Sequence, residues 1–423
     1  MTPERVSDRP IRLAVVISHP IQHFAPLFRC FADHPDVDLK VLYCCDWGSR
    51  QYRDPGFGKA VKWDIPLLDG YNYEFLPIRR RPSSLGFREI DNPCVADRLD
   101  VFAPDAVWVH GYAHRTSWRV LRWAQGRAKV LYFGDSELLA PRRLPARVIK
   151  RMVLPGFFRR CDAFITIGDN NEAYYRYYGV RQEKMFRGAF PVDVGRFQRA
   201  VSESGAAERA DRRGKMGLAA GGFVALFVGK FIAIKRPLDF VRAVDRLRTA
   251  APGVQGLMIG SGGLEPAIRG EIAGRGLTDR IRLAGFVNQS AMPEVLHAGD
   301  VIVMCSEKDP HPLAVTEAMA AGNAVVASDR VGCVGPTDAA RPGVNALTYP
   351  CGDVESLTIR LQTLADDPAL LRSMSQESMR IAWSQDASVA ADAVIRAART
   401  VLNRRPNISM VSRRKTPTLS AST

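Results

Sequence analysis

Apolar and polar positions alternate along this chain in two blocks of the same kind. In the first, short apolar runs stand at 11–17, 39–44, 106–110, 129–133 and 163–167, separated by amphipathic stretches such as 116–124. Runs of that length read as buried strands, and strands alternating with helices predict a parallel, doubly wound sheet. The pattern restarts at 223–228 and continues through 256–260, 281–284, 301–304 and 323–328, with helical stretches at 236–250, 266–274, 292–298 and 314–321. The polar, charged stretch 199–217 reads as the linker and the entry to the second block. The expected organisation is α/β: a first doubly wound domain over 1–198, a second over 199–375, a C-terminal helix over 376–403 that returns toward the first domain, and a disordered basic tail over 404–423.

Composition changes this picture little. The chain has 423 residues, 46% apolar and 24% charged, which suits a two-domain globular protein. No apolar run approaches the roughly 20 residues that span a bilayer. The polar start, 1–10, leads into a strand and not into a signal-peptide core, so a cytoplasmic protein is expected. The eight cysteines include no Cys-x-x-Cys spacing, and no metal site or cofactor is expected.

Charge changes it more. The formal net charge of +15 directs attention to an anionic partner. One acid-free stretch, 138–161, carries Arg142, Arg143, Arg147, Lys150, Arg151, Arg159 and Arg160, and a second, 401–423, carries Arg404, Arg405, Arg413, Arg414 and Lys415. In the first, Arg143, Arg147, Lys150 and Arg151 share one helical stripe, while Val148, Ile149, Met152 and Val153 share another. That pattern fits a segment resting on an anionic membrane surface, with the protein peripheral on the cytoplasmic face of the inner membrane. Nucleic acid is not an expected partner, because no recognition module or aromatic platform accompanies the charge. A dehydrogenase is disfavoured too, since no Gly-x-Gly-x-x-Gly follows the first strand.

The most informative segment is 305–322, Cys-Ser-Glu-Lys-Asp-Pro-His-Pro-Leu-Ala-Val-Thr-Glu-Ala-Met-Ala-Ala-Gly. It follows a strand, and a helix begins between Asp309 and Glu317. Pro312 suits a first helical turn. Carboxylates there can accept from sugar hydroxyls, and the free N–H groups of the helix start, at Leu313 and Ala314, can meet a phosphate. A second loop, Gly229-Lys230-Phe231-Ile232-Ala233-Ile234-Lys235, puts two cations between a strand and a helix, where they can neutralise a diphosphate. Gly260-Ser261-Gly262-Gly263-Leu264 forms a tight strand-to-helix turn, and 281–287 ends in Gly285-Phe286-Val287.

Together these segments resemble the retaining glycosyltransferases of the GT-B fold, of the family-4 type, also called glycosyl transferases group 1. Their acidic motif has an acidic residue, seven others, then Glu-Ala-Met-Ala-x-Gly. Asp309 stands where the family usually has Glu, and Pro312 where it usually has Gly. The resemblance implies two Rossmann-like domains facing across a cleft and a nucleotide-sugar donor, UDP- or GDP-linked. It implies that Glu317 binds the ribose, Asp309 the sugar, Lys230 and Lys235 the diphosphate, and that Leu313, Ala314, Gly229, Gly260, Gly262, Phe286 and Val287 line the donor site. A front-face route with retained configuration would need no protein nucleophile. The basic first domain points to a saccharide or lipid-linked acceptor in cell-surface polysaccharide assembly.

The first domain matches the family more loosely. Its first loop, 18–24, has no glycine-rich turn and offers His19, Gln22 and His23 to an acceptor instead. The histidine many family members carry after the fourth strand is absent, and Asp135 stands there. His110, at the end of the third strand, is the other candidate on this side. Two rival readings are a non-catalytic relative that binds a nucleotide sugar or a membrane partner, and an epimerase of the same fold.

Overall fold

The computed structural model describes residues 9–54, 56–78, 82, 84–139 and 144–404. Most of the basic tail, and Arg142 and Arg143 of the first basic stretch, lie outside the described residues. The strands of the first half are β1 (Ile11–Ile17), β2 (Val37–Tyr43), β3 (Tyr52–Asp54), β4 (Lys59–Val61), β5 (Tyr73–Phe75), β6 (Ala106–His110), β7 (Lys129–Phe133), β8 (Ala163–Thr166) and β9 (Met185–Arg187). Those of the second are β10 (Phe223–Val228), β11 (Val254–Ile259), β12 (Ile281–Gly285), β13 (Val301–Met304), β14 (Ala324–Ser328) and β15 (Ala346–Tyr349). Seven strands form a parallel sheet ordered β5-β2-β1-β6-β7-β8-β9, and six form a second, also parallel, ordered β12-β11-β10-β13-β14-β15. Each sheet has apolar side chains on both faces because helices cover both. This is the GT-B arrangement.

Strand order decides where a ligand can go. In the first sheet the direction of winding reverses between β1 and β6, and in the second between β10 and β13. The crevice outside the carboxyl ends of such strands is the place where open α/β sheets bind ligands. The loops at those ends begin at Ser18, Gly111, Gly229 and Cys305, which are the loops the sequence motifs occupy.

Two chain segments cross between the domains side by side. Val192 N–H donates to the Gln385 carbonyl at 3.1 Å, and Ala387 N–H donates to the Val192 carbonyl at 3.0 Å. Beyond the second crossing, the helix Ala387–Asn403 inserts Ala390, Val394, Ala397 and Val401 into the core beside β1 and β7. The polar stretch 199–217 is not an open linker. It holds the end of the helix Val194–Ser202 and the helix Ala206–Lys215. The inward face of the latter is made of arginine: Arg209 and Arg213 bond the Asp300 carboxylate at 2.8 and 2.7 Å. An apolar periodicity was therefore never there to be read.

A short antiparallel hairpin, β3–β4, leaves the first sheet and reaches the second domain. Asn288 Nδ2 donates to the Lys62 carbonyl at 2.7 Å, Ser290 N–H to Asp64 at 3.0 Å, and Ser261 Oγ to the Phe57 carbonyl at 3.1 Å. On the other side of the cleft, Asn170 Nδ2 donates to the carbonyls of Gly332 and Val334 at 3.1 and 2.9 Å. The two domains are thus tied at both ends of the cleft.

Candidate active site

The Lys235 ammonium bonds the Asp309 carboxylate directly. Both come from loops at the carboxyl ends of neighbouring strands, so the sheet itself brings together residues 74 positions apart. Asp309 is buried, and its backbone is pinned where Gly332 N–H donates to its carbonyl at 2.8 Å. Ser306 Oγ sits 3.4 Å from the same carboxylate. Four residues after Asp309, the helix Leu313–Ala320 starts with no side-chain cap. Its first N–H groups, at Leu313 and Ala314, remain for an anion. A cation, a carboxylate and an open helix start therefore share one edge of the cleft.

Lys230 is engaged differently from the sequence expectation. Its ammonium lies 3.0 and 3.1 Å from the two oxygens of Asp54, on the hairpin of the first domain, and 4.8 Å from the centre of the Phe57 ring. The counter-charge expected from a diphosphate is here supplied by the protein. Asp54 also accepts from the N–H groups of Gly56 and Phe57 at 2.8 and 3.0 Å, which holds the turn in shape. Asn at position 54 keeps those acceptors and removes the charge. Asp54→Asn is therefore expected to tighten nucleoside diphosphate binding by about fivefold or less, the worth of a part-exposed ion pair. Calorimetric titration checks this, and weaker binding in the variant would show that Asp54 positions Lys230 for the ligand.

The glycines have a packing reason. A Cβ at Gly260 would lie 1.9 Å from the Gly229 carbonyl oxygen, and one at Gly262 would lie 2.6 Å from that of Phe231. Both residues have φ in the left-handed range, at 143° and 157°. Phe286 is covered by the hairpin, with the Phe57 ring centre at 5.0 Å, Trp63 at 6.2 Å and the Lys59 ammonium 4.3 Å above it. Val287 packs on the core beneath.

Glu317 lines an interdomain cavity of about 160 Å³ with Gln22 and His23 of the first domain and Arg196 and Gln289 of the second. Burial raises its carboxyl pKa, against the opposing pull of Arg196 and a hydrogen bond from Gln289. Arg196 in turn donates to Gln289 Oε1 at 2.7 Å and to its carbonyl at 2.9 Å. A carboxylate so placed seeks hydroxyl donors. Lys230 and Lys235 do not line this cavity. The structure joins Lys235 to Asp309 and Glu317 to the first loop, and the helix start between Asp309 and Glu317 connects the two groups.

The first-domain wall is rich in imidazole. His19 Nδ1 is 2.8 Å from Ser18 Oγ. His23 is partly exposed as a residue, but both of its ring nitrogens are sealed and unpartnered, as are His110 Nε2 and His114 Nδ1. His110 is packed among Trp108, Phe24 and Phe133, with ring centres at 4.3, 4.6 and 4.9 Å, so it supports the wall more than it faces a ligand. Burial, with smaller repulsions among the rings, depresses the pKa of His19 to about 4, that of His23 to about 3, and that of His110 well below the usual value. The unfolded chain, with histidine pKa values of about 6.5, then binds more protons than the fold below that pH. Stability is complete above about pH 6.5 and is lost as pH falls toward the depressed values. The melting temperature should drop between about pH 7 and pH 5, before most carboxylates titrate. His23→Phe should flatten that slope, and an unchanged slope would assign the acid sensitivity to other groups.

Asp135 lies deep between the domains yet remains open to solvent, as expected of a group at the wall of an open cleft. Burial among protein atoms raises its pKa, while His311 pulls it down and Asp309 pushes it up, which places it opposite the second domain's acidic motif. His311 is buried within that motif, under the Phe190 ring at 5.5 Å. Its Nε2 donates to Asp338 at 3.2 Å, and Asp338 accepts the Asp169 N–H of the first domain at 2.7 Å. Sequence reasoning passed over His311, although it stands two residues after Asp309. It had no signal for Asp54, Arg196 or Gln289, which reach the cleft only through tertiary packing.

Residues 208–380 match the family model of glycosyl transferases group 1. The match covers the second domain. The D-inositol 3-phosphate glycosyltransferase of Streptomyces avermitilis is 29% identical over 260 residues, which are 58% of this chain and 54% of that one. The 2-deoxystreptamine glucosyltransferase of Streptomyces kanamyceticus is 33% identical over 155 residues, 35% of this chain and 38% of that one. The chain thus spans about half or less of the curated relatives it matches. Among solved structures, Anabaena HepE in complex with UDP superposes with a TM-score of 0.71 at 16% identity, covering 92% of this chain and all of HepE. That likeness concerns the fold.

Proposed function

We propose that this protein transfers a sugar from a nucleotide-sugar donor to a hydroxyl group of a saccharide acceptor. The observation that carries the reading is the Lys235–Asp309 pair at an uncapped helix start, on a domain matching glycosyl transferases group 1. Lys235 and the N–H groups of Leu313 and Ala314 stabilise the departing diphosphate, and electrostatic assistance of this kind often contributes more to catalysis than any other effect. Asp309 accepts from a hydroxyl of the donor sugar. Glu317 accepts from the ribose hydroxyls. The bond from the anomeric carbon to the phosphate oxygen breaks, the bond to the acceptor oxygen forms on the same face, and the acceptor proton passes to the leaving phosphate. Configuration is retained in this route, and no protein nucleophile is needed. The donor is UDP-linked by analogy with HepE, which is solved with UDP, or GDP-linked as the family resemblance implies. The acceptor enters along the wall of His19, Gln22, His23 and Asp135.

No helix among the described residues is long and apolar enough to cross a membrane. The Lys230–Asp54 pair favours one alternative, a protein that binds the nucleotide sugar without transferring it. Incubation with UDP- and GDP-sugars separates the two. Transfer or slow donor hydrolysis releases nucleoside diphosphate, and the anomeric coupling of the product, read by NMR, tests retention. Tight binding with no release from any donor would favour the alternative.

A further inference from the structure

The helix Leu144–Phe158 is the most unusual surface feature of this molecule. From Leu144 to Val153, every side chain but Lys150 is exposed. Leu144 and Met152 are 70% and 72% exposed, Ile149 57% and Val148 49%. At 3.6 residues per turn, Leu144, Val148, Ile149, Met152 and Val153 cover one side of the helix, while Lys150 and Leu154 lie on the other. Arg151 marks one border of that side, and Arg147 stands past it toward Leu154. The buried end of the helix, at Leu154, Phe157 and Phe158, fixes it to the first domain's core. Its apolar side has no partner among the described residues. Leu138, before the helix in the chain, is exposed as well.

We propose that this helix seats the protein on an anionic lipid bilayer. A bare apolar helix face needs an apolar medium, and an acid-free stretch from 138 to 161 needs an anionic one. The bilayer interface supplies both, with the apolar side chains below the headgroups and the basic border among them. A second copy of the chain would set the same basic borders against each other. Tyr177, itself exposed, lies beneath the Arg151 guanidinium at 5.9 Å and adds an aromatic ring suited to the interface. Lys150 Nζ donates to the Tyr112 hydroxyl at 2.8 Å, and Tyr112 follows His110 on the acceptor wall. Asp135 and Leu138 lie on one loop. The helix is therefore joined through Lys150, on its inward side, to the loop that follows β6.

The inference deepens the proposed transferase reading by placing its acceptor at a membrane, and it is tested apart from it. Full-length protein is sedimented with vesicles of phosphatidylcholine alone or mixed with phosphatidylglycerol, at low and high salt. Wild type should bind the mixed vesicles, weakly at high salt and weakly to phosphatidylcholine alone. Ile149→Asp/Met152→Asp should lose at least about tenfold in binding, and Arg147→Glu/Arg151→Glu roughly fivefold per charge. All four positions are exposed, so nucleotide release from a soluble donor should be unchanged in both variants. Absence of vesicle binding, or binding equal in wild type and both variants, would overturn the proposal. So would a dimer by light scattering that only the Asp variant dissolves, with no vesicle binding. Loss of nucleotide release in wild type itself would count against the transferase reading and leave the membrane result standing.

Discussion

Replacing Glu317 by alanine is expected to weaken nucleoside diphosphate binding by about 10²-fold. The carboxylate lines the interdomain cavity, and each hydrogen bond from a ribose hydroxyl to a charged acceptor contributes about 1.5–3 kcal/mol. A second consequence separates this role from a structural one. Burial raises the Glu317 pKa, so the folded state holds its proton more tightly than the unfolded state does. The stabilising contribution of that group is complete at low pH and is lost as pH rises through the folded-state value. At neutral pH the charged side chain therefore costs stability. Glu317→Gln should melt at a temperature equal to or above wild type while binding nucleotide poorly. A variant that melts lower and binds normally would remove Glu317 from the site.

Lys235→Ala is expected to lower kcat by about 10²–10³-fold, or about 2.7–4 kcal/mol, the range seen when one donor to a developing anion is removed. Ground-state binding of the donor should change less, because the phosphate carries its full charge only as the bond breaks. The same substitution leaves the buried Asp309 without its cation, which should cost about 1–3 kcal/mol of stability. The double variant Lys235→Met/Asp309→Asn removes both charges and should recover much of that stability without recovering activity. Recovery of activity along with stability would mean that Lys235 serves the fold alone.

What the sequence disclosed follows from the physics of buried strands. The run 301–304 is apolar because all four of its residues are buried between helix layers, and β1, β6 and β10 are buried except at Arg12, His110 and Val228. The motif loops were readable because they follow such strands directly. What was missed has other causes. Each strand of the hairpin β3–β4 is three residues long, too short to show a period. Its contact with the second domain pairs Asp54 with Lys230 across 176 positions, and nothing local to either residue records it. The helix Ala206–Lys215 passed for a linker because its inward residues are arginines satisfied by Asp300. His110 read as a cleft residue because it ends a strand, whereas the aromatic rings around it come from its own strand and from two other elements. His311 was overlooked because its neighbours Asp309 and Glu317 already explained the motif.

The two halves of the site also show how the fold divides the work. The second domain supplies charge, at Lys235, Asp309 and Glu317, on loops fixed by parallel strands. The first supplies imidazoles whose pKa burial depresses and a carboxyl, Asp135, whose pKa burial pushes up, besides the Asp54 carboxylate that pairs with Lys230. The cation Lys235 therefore stands on the side where a diphosphate would leave, and the imidazoles on the side where a hydroxyl would arrive.

Calorimetric titration of purified protein with a panel of nucleoside diphosphates tests the central claim most directly. The account predicts that UDP or GDP binds at one site per chain, and that Glu317→Gln weakens that binding by about tenfold without lowering the melting temperature. Absence of binding by every nucleoside diphosphate, or binding that Glu317→Gln leaves intact, would contradict it.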